Sequence, residues 1–301
     1  MNELCFWAGT MRTAPFEQRL EAALAGGFTS ISVFPMDCPD EPRCTTIRML
    51  CEERGVRIAA LDPFTRWLSG WEAPQGVAPE FLALVGCGED QFFGKAEALG
   101  ATSMTVLEPF GRTYETAELV ESFAALCDRA AQSGLRVHLE FTPFSGIPDL
   151  ALAWEVVSGA DRANGGLVFD TWHYLRGRPD DALLATIPAD RIFVVQLSDA
   201  AREPVGSLVE DTMFHRRLPG EGDWDLESLL ALMLPNPGSV RSGSRSSPGA
   251  SCSCRPSRST AAVVRRCAGC SKRRALAPAV SSPATPVRLG ARHRARSAGR
   301  R

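Results

Sequence analysis

Seven short runs rich in apolar and β-branched residues punctuate the first 233 residues of this 301-residue chain, each followed by a longer stretch with helical spacing. The runs are Leu4–Trp7, Ser30–Val33, Arg57–Leu61, Ser103–Leu107, Arg136–Glu140, Gly166–Asp170 and Arg191–Gln196. Helical stretches lie at Pro15–Ala25, Thr45–Arg54, Gln91–Leu99, Thr116–Ser133 and Asp149–Ser158, and Trp224–Met233 reads as one more, with Asp223 as its cap. Strands that alternate with helices predict βα units around a parallel sheet. No Gly-rich phosphate fingerprint follows the first strand, where Trp7-Ala8-Gly9-Thr10 holds one glycine, so an open doubly wound sheet is the weaker alternative to a (β/α)8 barrel.

The expected eighth strand should begin after Met233, but the chain changes character there. Residues 1–233 carry all 35 acidic residues against 18 basic ones, a balance of −17, whereas residues 234–301 carry 15 basic residues and no acid. The second segment also lacks Phe, Trp and Tyr. Too little apolar area is available there to offset the entropy of ordering, so the sequence predicts a barrel domain over 1–233 and a disordered basic tail over 234–301. Cys267-Ala-Gly-Cys270 has zinc-knuckle spacing but only the Cys252–Cys254 pair as a partner. The six body cysteines (Cys5, Cys38, Cys44, Cys51, Cys87, Cys127) lack the regular spacing of a disulfide framework. With no long apolar run and no secretory leader pattern, the expectation is a soluble cytoplasmic protein.

In a parallel barrel the chemistry sits at the C-terminal strand ends. Three consecutive strands close on candidate metal ligands: His138-Leu139-Glu140-Phe141-Thr142-Pro143, Phe169-Asp170-Thr171-Trp172-His173 and Val195-Gln196-Leu197-Ser198-Asp199. Their spacing is about one βα unit each, which predicts that Glu140, Asp170 and Gln196 meet at one mouth. Each has an ordinary reading as well: a rim salt bridge for Glu140, a helix N-cap for Asp170, a hydrogen-bonding rim amide for Gln196. His138 shares Glu140's face through the two-residue strand period, and a histidine there is often a satisfied core residue. Further on, His215-Arg216-Arg217-Leu218-Pro219-Gly220-Glu221-Gly222-Asp223-Trp224 reads as a turn behind two fixed positive charges, able to hold an anionic or polyhydroxylated ligand through arginine forks.

Taken together, FTP after the strand-five Glu, FDTWH at strand six, VVQLSD at strand seven and RRLPGEGDWD before the last helix resemble the sugar phosphate isomerase/epimerase superfamily, the xylose isomerase-like barrels, over roughly residues 3–233. The resemblance implies a divalent cation (Mn²⁺, Mg²⁺ or Zn²⁺) held by Glu140, Asp170 and Gln196. It also implies Glu140 and His173 as catalytic groups, and His138, His173 and Arg217 as substrate contacts. Gln196 stands where His is commoner, as in inosose dehydratase-like members. The implied function is isomerisation or epimerisation of a keto-sugar, sugar phosphate or cyclitol through an enediolate, with dehydration by an inosose dehydratase-like lyase as the alternative. A homo-oligomer is compatible with either.

The family's strand-eight Glu, fourth ligand and acid/base partner, has no counterpart after Glu227. A shifted reading frame in a G+C-rich gene would account for the break: with third bases free to choose, recoding from Gly238 permits something like GPERFSVEPW, an aromatic and β-branched run with a Glu near Ser247. A rival from another class is a non-catalytic nucleic-acid-binding protein that uses the basic tail, but the tail has no aromatics for stacking and the acidic body would repel the same ligand. A DNA-repair endonuclease on the same barrel would need more histidines than His138, His173 and His215 supply.

Overall fold

The computed structural model describes residues 4–233. Seven strands form one sheet in sequential order, all paired in parallel: β1 (Cys5–Phe6), β2 (Ser30–Val33), β3 (Arg57–Phe64), β4 (Ser103–Val106), β5 (Arg136–Glu140), β6 (Gly165–Asp170) and β7 (Ile192–Gln196). The crossovers carry α1 (Phe16–Ala25), α2 (Glu41–Glu53), α3 (Pro79–Val85), α4 (Glu89–Leu99), α5 (Thr116–Gln132), α6 (Leu150–Ala160), α7 (Thr171–Arg176) and α8 (Asp181–Leu184), and α9 (Leu208–Phe214) and α10 (Leu226–Met233) follow β7. Sequential parallel order with helical crossovers is the arrangement of a (β/α) barrel. Among the described residues β1 and β7 pair on one side each. The expected eighth unit, the tail from residue 234 for which a shifted frame would account, and the cysteine pairs in it lie outside the described residues.

Strands β2, β4 and β6 are buried along their whole length; β6 accordingly carries the continuous apolar run Leu167-Val168-Phe169, while β2 and β4 bury small hydroxyl residues at alternate positions. The outer layer is packed by Phe16, Ile47, Phe92, Phe123 and Val156 from the helices, all essentially inaccessible. The six body cysteines are free and buried, and burial pushes the thiols of Cys5, Cys51 and Cys127 up to about 12. They are core residues without thiolate chemistry.

The element boundaries differ from expectation where local chemistry intervenes. Strand β3 runs past Leu61 through Asp62-Pro63 to Phe64, because a proline near a strand end forgoes only one ladder donor. Helix α2 begins four residues early, capped by the Asp40 side chain on the Arg43 N–H. The last helix starts at Leu226, not Trp224. Asp225 takes the Ser228 N–H there, while Asp223, expected as the cap, accepts from the Arg202 N–H.

Two loops above the sheet are tied by one buried carboxylate. Glu108, just beyond β4, accepts from Phe110 N and Gly111 N in its own loop and from Gly146 N in the loop after β5. Glu108→Ala would orphan three N–H donors, so we expect a loss of about 3 kcal/mol of unfolding free energy. Urea unfolding of variant and parent measures it, and an unchanged midpoint would contradict the staple.

Candidate active site

Register places the site. Asp170 pairs directly with Gln196, and Glu140 pairs with Val168, two residues before Asp170, so all three side chains leave the same face near the C-terminal ends of β5, β6 and β7. Asp170 also serves as N-cap of α7: its Oδ1 accepts from Trp172 N at 2.8 Å and His173 N at 3.0 Å, leaving Oδ2 to face inward. Its ordinary role and its expected functional one thus use different oxygens. The α7 turn then brings His173 over the site, where its Nε2 lies 3.7 Å from Glu140 Oε1. Donor atoms of Glu140, Asp170 and His173 all fall within 4.8 Å of one another, and all three residues are buried.

Arg216 reaches into this cluster. Its guanidinium donates to Asp170 Oδ2 at 2.6 Å and lies 3.2 Å from His173 Nε2. Thr212 of α9 accepts two of its N–H groups, and Trp172 lies beneath it at 5.1 Å from the ring centre. Arg217, expected as the substrate contact, is exposed with its guanidinium on the Glu221 carbonyl. The cause is local: Arg217 is locked in an antiparallel bridge with Asp199, and adjacent residues of extended backbone point to opposite sides. Asp199 also accepts from Gly220 N and Trp224 N. The turn needs both its glycines: Gly220 has φ +87°, and a Cβ on Gly222 would lie 2.1 Å from Asp199 Oδ1.

Two residues that sequence reasoning passed over complete the mouth. Asp62 of β3 is 7 % exposed, and Trp7 follows β1. With its carboxamide nitrogen toward Asp170, Gln196 donates to Asp170 Oδ2 at 3.0 Å and accepts from Trp7 Nε1 at 3.1 Å. No motif marks Asp62; only its place at a barrel strand's C-terminal end hinted at it. His138 sits one layer below Glu140, edge-on to Phe193, and lines a cavity of about 30 Å³ with Cys5, Ala60 and Ser103. The structure therefore sets His138 beneath the mouth rather than in it.

The electrostatics are those of a crowded acid pocket. Burial, with the Asp62 and Asp170 charges adding to it and Arg216 opposing, holds the Glu140 carboxyl well above the usual range. Burial lifts Asp62 to about 7 against the pull of Trp7 and Thr105. Burial also pushes on Asp170, but Arg216 and His173 outweigh it and leave this carboxyl below its ordinary value. His173 is driven down to about 4, by burial first. At neutral pH the imidazole is a neutral base. Two carboxylates and an imidazole form a donor set suited to Zn²⁺, Mn²⁺ or Mg²⁺, and the surplus of negative charge is what such an ion would relieve. The residues present fit a divalent cation.

Residues 20–236 match the family described as the xylose isomerase-like TIM barrel. The chain belongs to this family. Among its relatives, a 3-dehydroshikimate dehydratase of Pseudomonas aeruginosa is 30% identical over 220 residues, 71% of this chain and 33% of the relative. The chain thus spans about a third of the length of that protein. An inosose isomerase of Bacillus subtilis is 28% identical over 116 residues, 38% of this chain and 41% of the relative. Among solved structures, the IOLI protein with a bound zinc atom superposes with a TM-score of 0.61 at 20% identity, covering 77% of this chain and 84% of that one. Relatives of this chain are thus named for dehydration and for isomerisation, a structure of the same fold is described with a bound zinc atom, and this chain brings a Glu/Asp/His cluster together at the strand ends.

Removing the Glu140 charge should stabilise the metal-free protein. A carboxyl whose folded value is raised favours the fold when protonated, so the penalty is full above that raised value and vanishes at acid pH below the unfolded one. Glu140→Gln is expected to raise the melting temperature at pH 8 by about 3 °C, roughly 1 kcal/mol for a domain of this size, with the gain fading toward pH 4. Added Zn²⁺ should stabilise the parent and not the variant. Calorimetry at both pH values checks this, and a variant less stable than the parent at pH 8 would refute it.

Proposed function

We propose that this chain is a divalent-metal-dependent enzyme acting on a hydroxylated ketone of the keto-sugar or cyclitol class, with Glu140, Asp170 and Gln196 as ligands, His173 as base and Arg216 as substrate contact. The observation that carries the reading is the neutral, buried His173 imidazole set between Glu140 and Arg216. With Gln196 available as an oxygen ligand, His173 Nε2 is left for proton transfer. When bound, the cation supplies Lewis-acid polarisation of the substrate carbonyl, which acidifies the adjacent C–H.

His173 Nε2 removes that proton, and the C–H electron pair moves into the enediolate. Arg216 offers a planar fork for a substrate oxygen and stabilises the developing negative charge. The imidazolium then returns its proton. Delivered to the β-hydroxyl, it breaks the C–O bond and releases water; delivered to the neighbouring carbon, it completes an isomerisation. Epimerisation with inversion needs a proton donor on each face, and His173 serves one. Elimination is therefore the favoured outcome, in keeping with the longer match to the dehydratase relatives. Isomerisation is the second reading, supported by the inosose isomerase matches.

In D₂O with Mn²⁺ and a panel of keto-cyclitols and keto-sugars, we expect deuterium incorporation next to the carbonyl of one class, accompanied by an ultraviolet-absorbing enone if water is lost. His173→Asn should lower exchange by at least about a hundredfold while keeping bound metal. Arg216→Lys, which loses the fork, should raise KM more than it lowers kcat. Exchange that survives in His173→Asn would overturn the assignment of the base.

A further inference from the structure

The indole N–H of Trp7 stands between two acceptors. It donates to the Gln196 carboxamide oxygen at 3.1 Å, and it also faces the Asp62 carboxylate on β3. A single hydrogen serves one of them at a time. Gln196 is divided in the same way. With its nitrogen toward Asp170 Oδ2, its oxygen is consumed by Trp7 and is withheld from any cation. Turned by half a rotation, the carboxamide puts its oxygen 3.0 Å from Asp170 Oδ2 and its nitrogen against the Trp7 nitrogen. Two acceptors then face each other, and so do two donors. The first conflict ends when a small divalent cation lies between the oxygens. The second ends only if the Trp7 N–H has another acceptor, a role that the Asp62 carboxylate at the end of β3 would fill.

We infer that Asp62 and Trp7 form a positioning pair that governs which end of the Gln196 carboxamide faces Asp170, and hence whether Gln196 offers its oxygen to a metal ion. The inference rests on the metal reading of the site given above and assigns that site two further residues. A histidine in place of Gln196 would need no such device, because its ring nitrogen cannot be exchanged for a donor by a half-turn of an amide. The pair is thus a consequence of the amide at this strand end. Asp62 is well placed for the role because it is buried, so few donors compete with Trp7 for its carboxylate.

The test is Zn²⁺ affinity of the full chain, measured by competition with a chromogenic chelator, with the indole ¹⁵N–¹H spectrum recorded alongside. Trp7→Phe identifies the Trp7 resonance, which should move when Zn²⁺ is added to the parent. Asp62→Ala should weaken Zn²⁺ binding about tenfold and suppress that shift. Asp62→Asn keeps an acceptor oxygen without the charge and should stay within about threefold of the parent. In a Gln196→His background, Asp62→Ala should cost nothing further.

Equal Zn²⁺ affinity in Asp62→Ala and the parent would overturn the inference, as would an Asp62→Asn loss as large as that of Asp62→Ala, which would mean that the charge alone matters. The same cost in the Gln196→His background would overturn it too. A parent that binds Zn²⁺ but catalyses no exchange would remove the proposed function and leave the positioning pair standing; a parent that binds none would remove both.

Discussion

Three parallel strands in register set the conditions for everything at the mouth of this barrel. Asp170 and Gln196 are direct partners, and Glu140 pairs with Val168, two residues before Asp170 on the same strand. Parallel pairing with a two-residue side-chain period leaves these groups no choice but to share one face and nearly one height. Because β6 is buried along its length and the helices close the outside, that shared place is dry. Water cannot spread the charge. Burial therefore acts first on Glu140, Asp62 and His173, and every other feature of the site answers it.

The answer from within the chain is one guanidinium. Arg216 reaches Asp170 and His173 from the far side of a glycine turn, held by Thr212 and lying over Trp172. Asp199 organises that turn from a position just past β7, and Arg176 with Asp211 supports its neighbourhood by a buried pair that also takes the Trp172 indole N–H. One positive charge among three carboxyl groups leaves the site electrostatically unsatisfied. Strain of this kind is typical of places that bind a cation or perform acid/base chemistry, where stability is given up for function.

Much of this was legible in the residues. The strands at Ser30–Val33 and Arg136–Glu140 have the bounds expected, because their apolar residues recur at every second position, the period of a strand. Glu140, Asp170 and His173 were identifiable from their place at the ends of such strands. Asp62 was not, since it follows Leu61 and precedes a proline that reads as a strand end. Arg216 and Arg217 could not be told apart, because adjacent identical residues carry no signal of which way each faces. The bridge between Asp199 and Arg217 decides that, and a bridge between residues so far apart in sequence leaves no local trace.

The residues alone carried the class of fold, the order of the strands and the division into an acidic body over 1–233 and a short basic tail, for these follow from periodicity and composition, which are local. The company each polar group keeps came from the fold alone: Arg216 rather than Arg217 over Asp170, His138 beneath the mouth rather than in it, and the Gln196 amide between Asp170 and Trp7. Such pairings depend on register and on burial, and both are properties of strands brought together from distant parts of the chain.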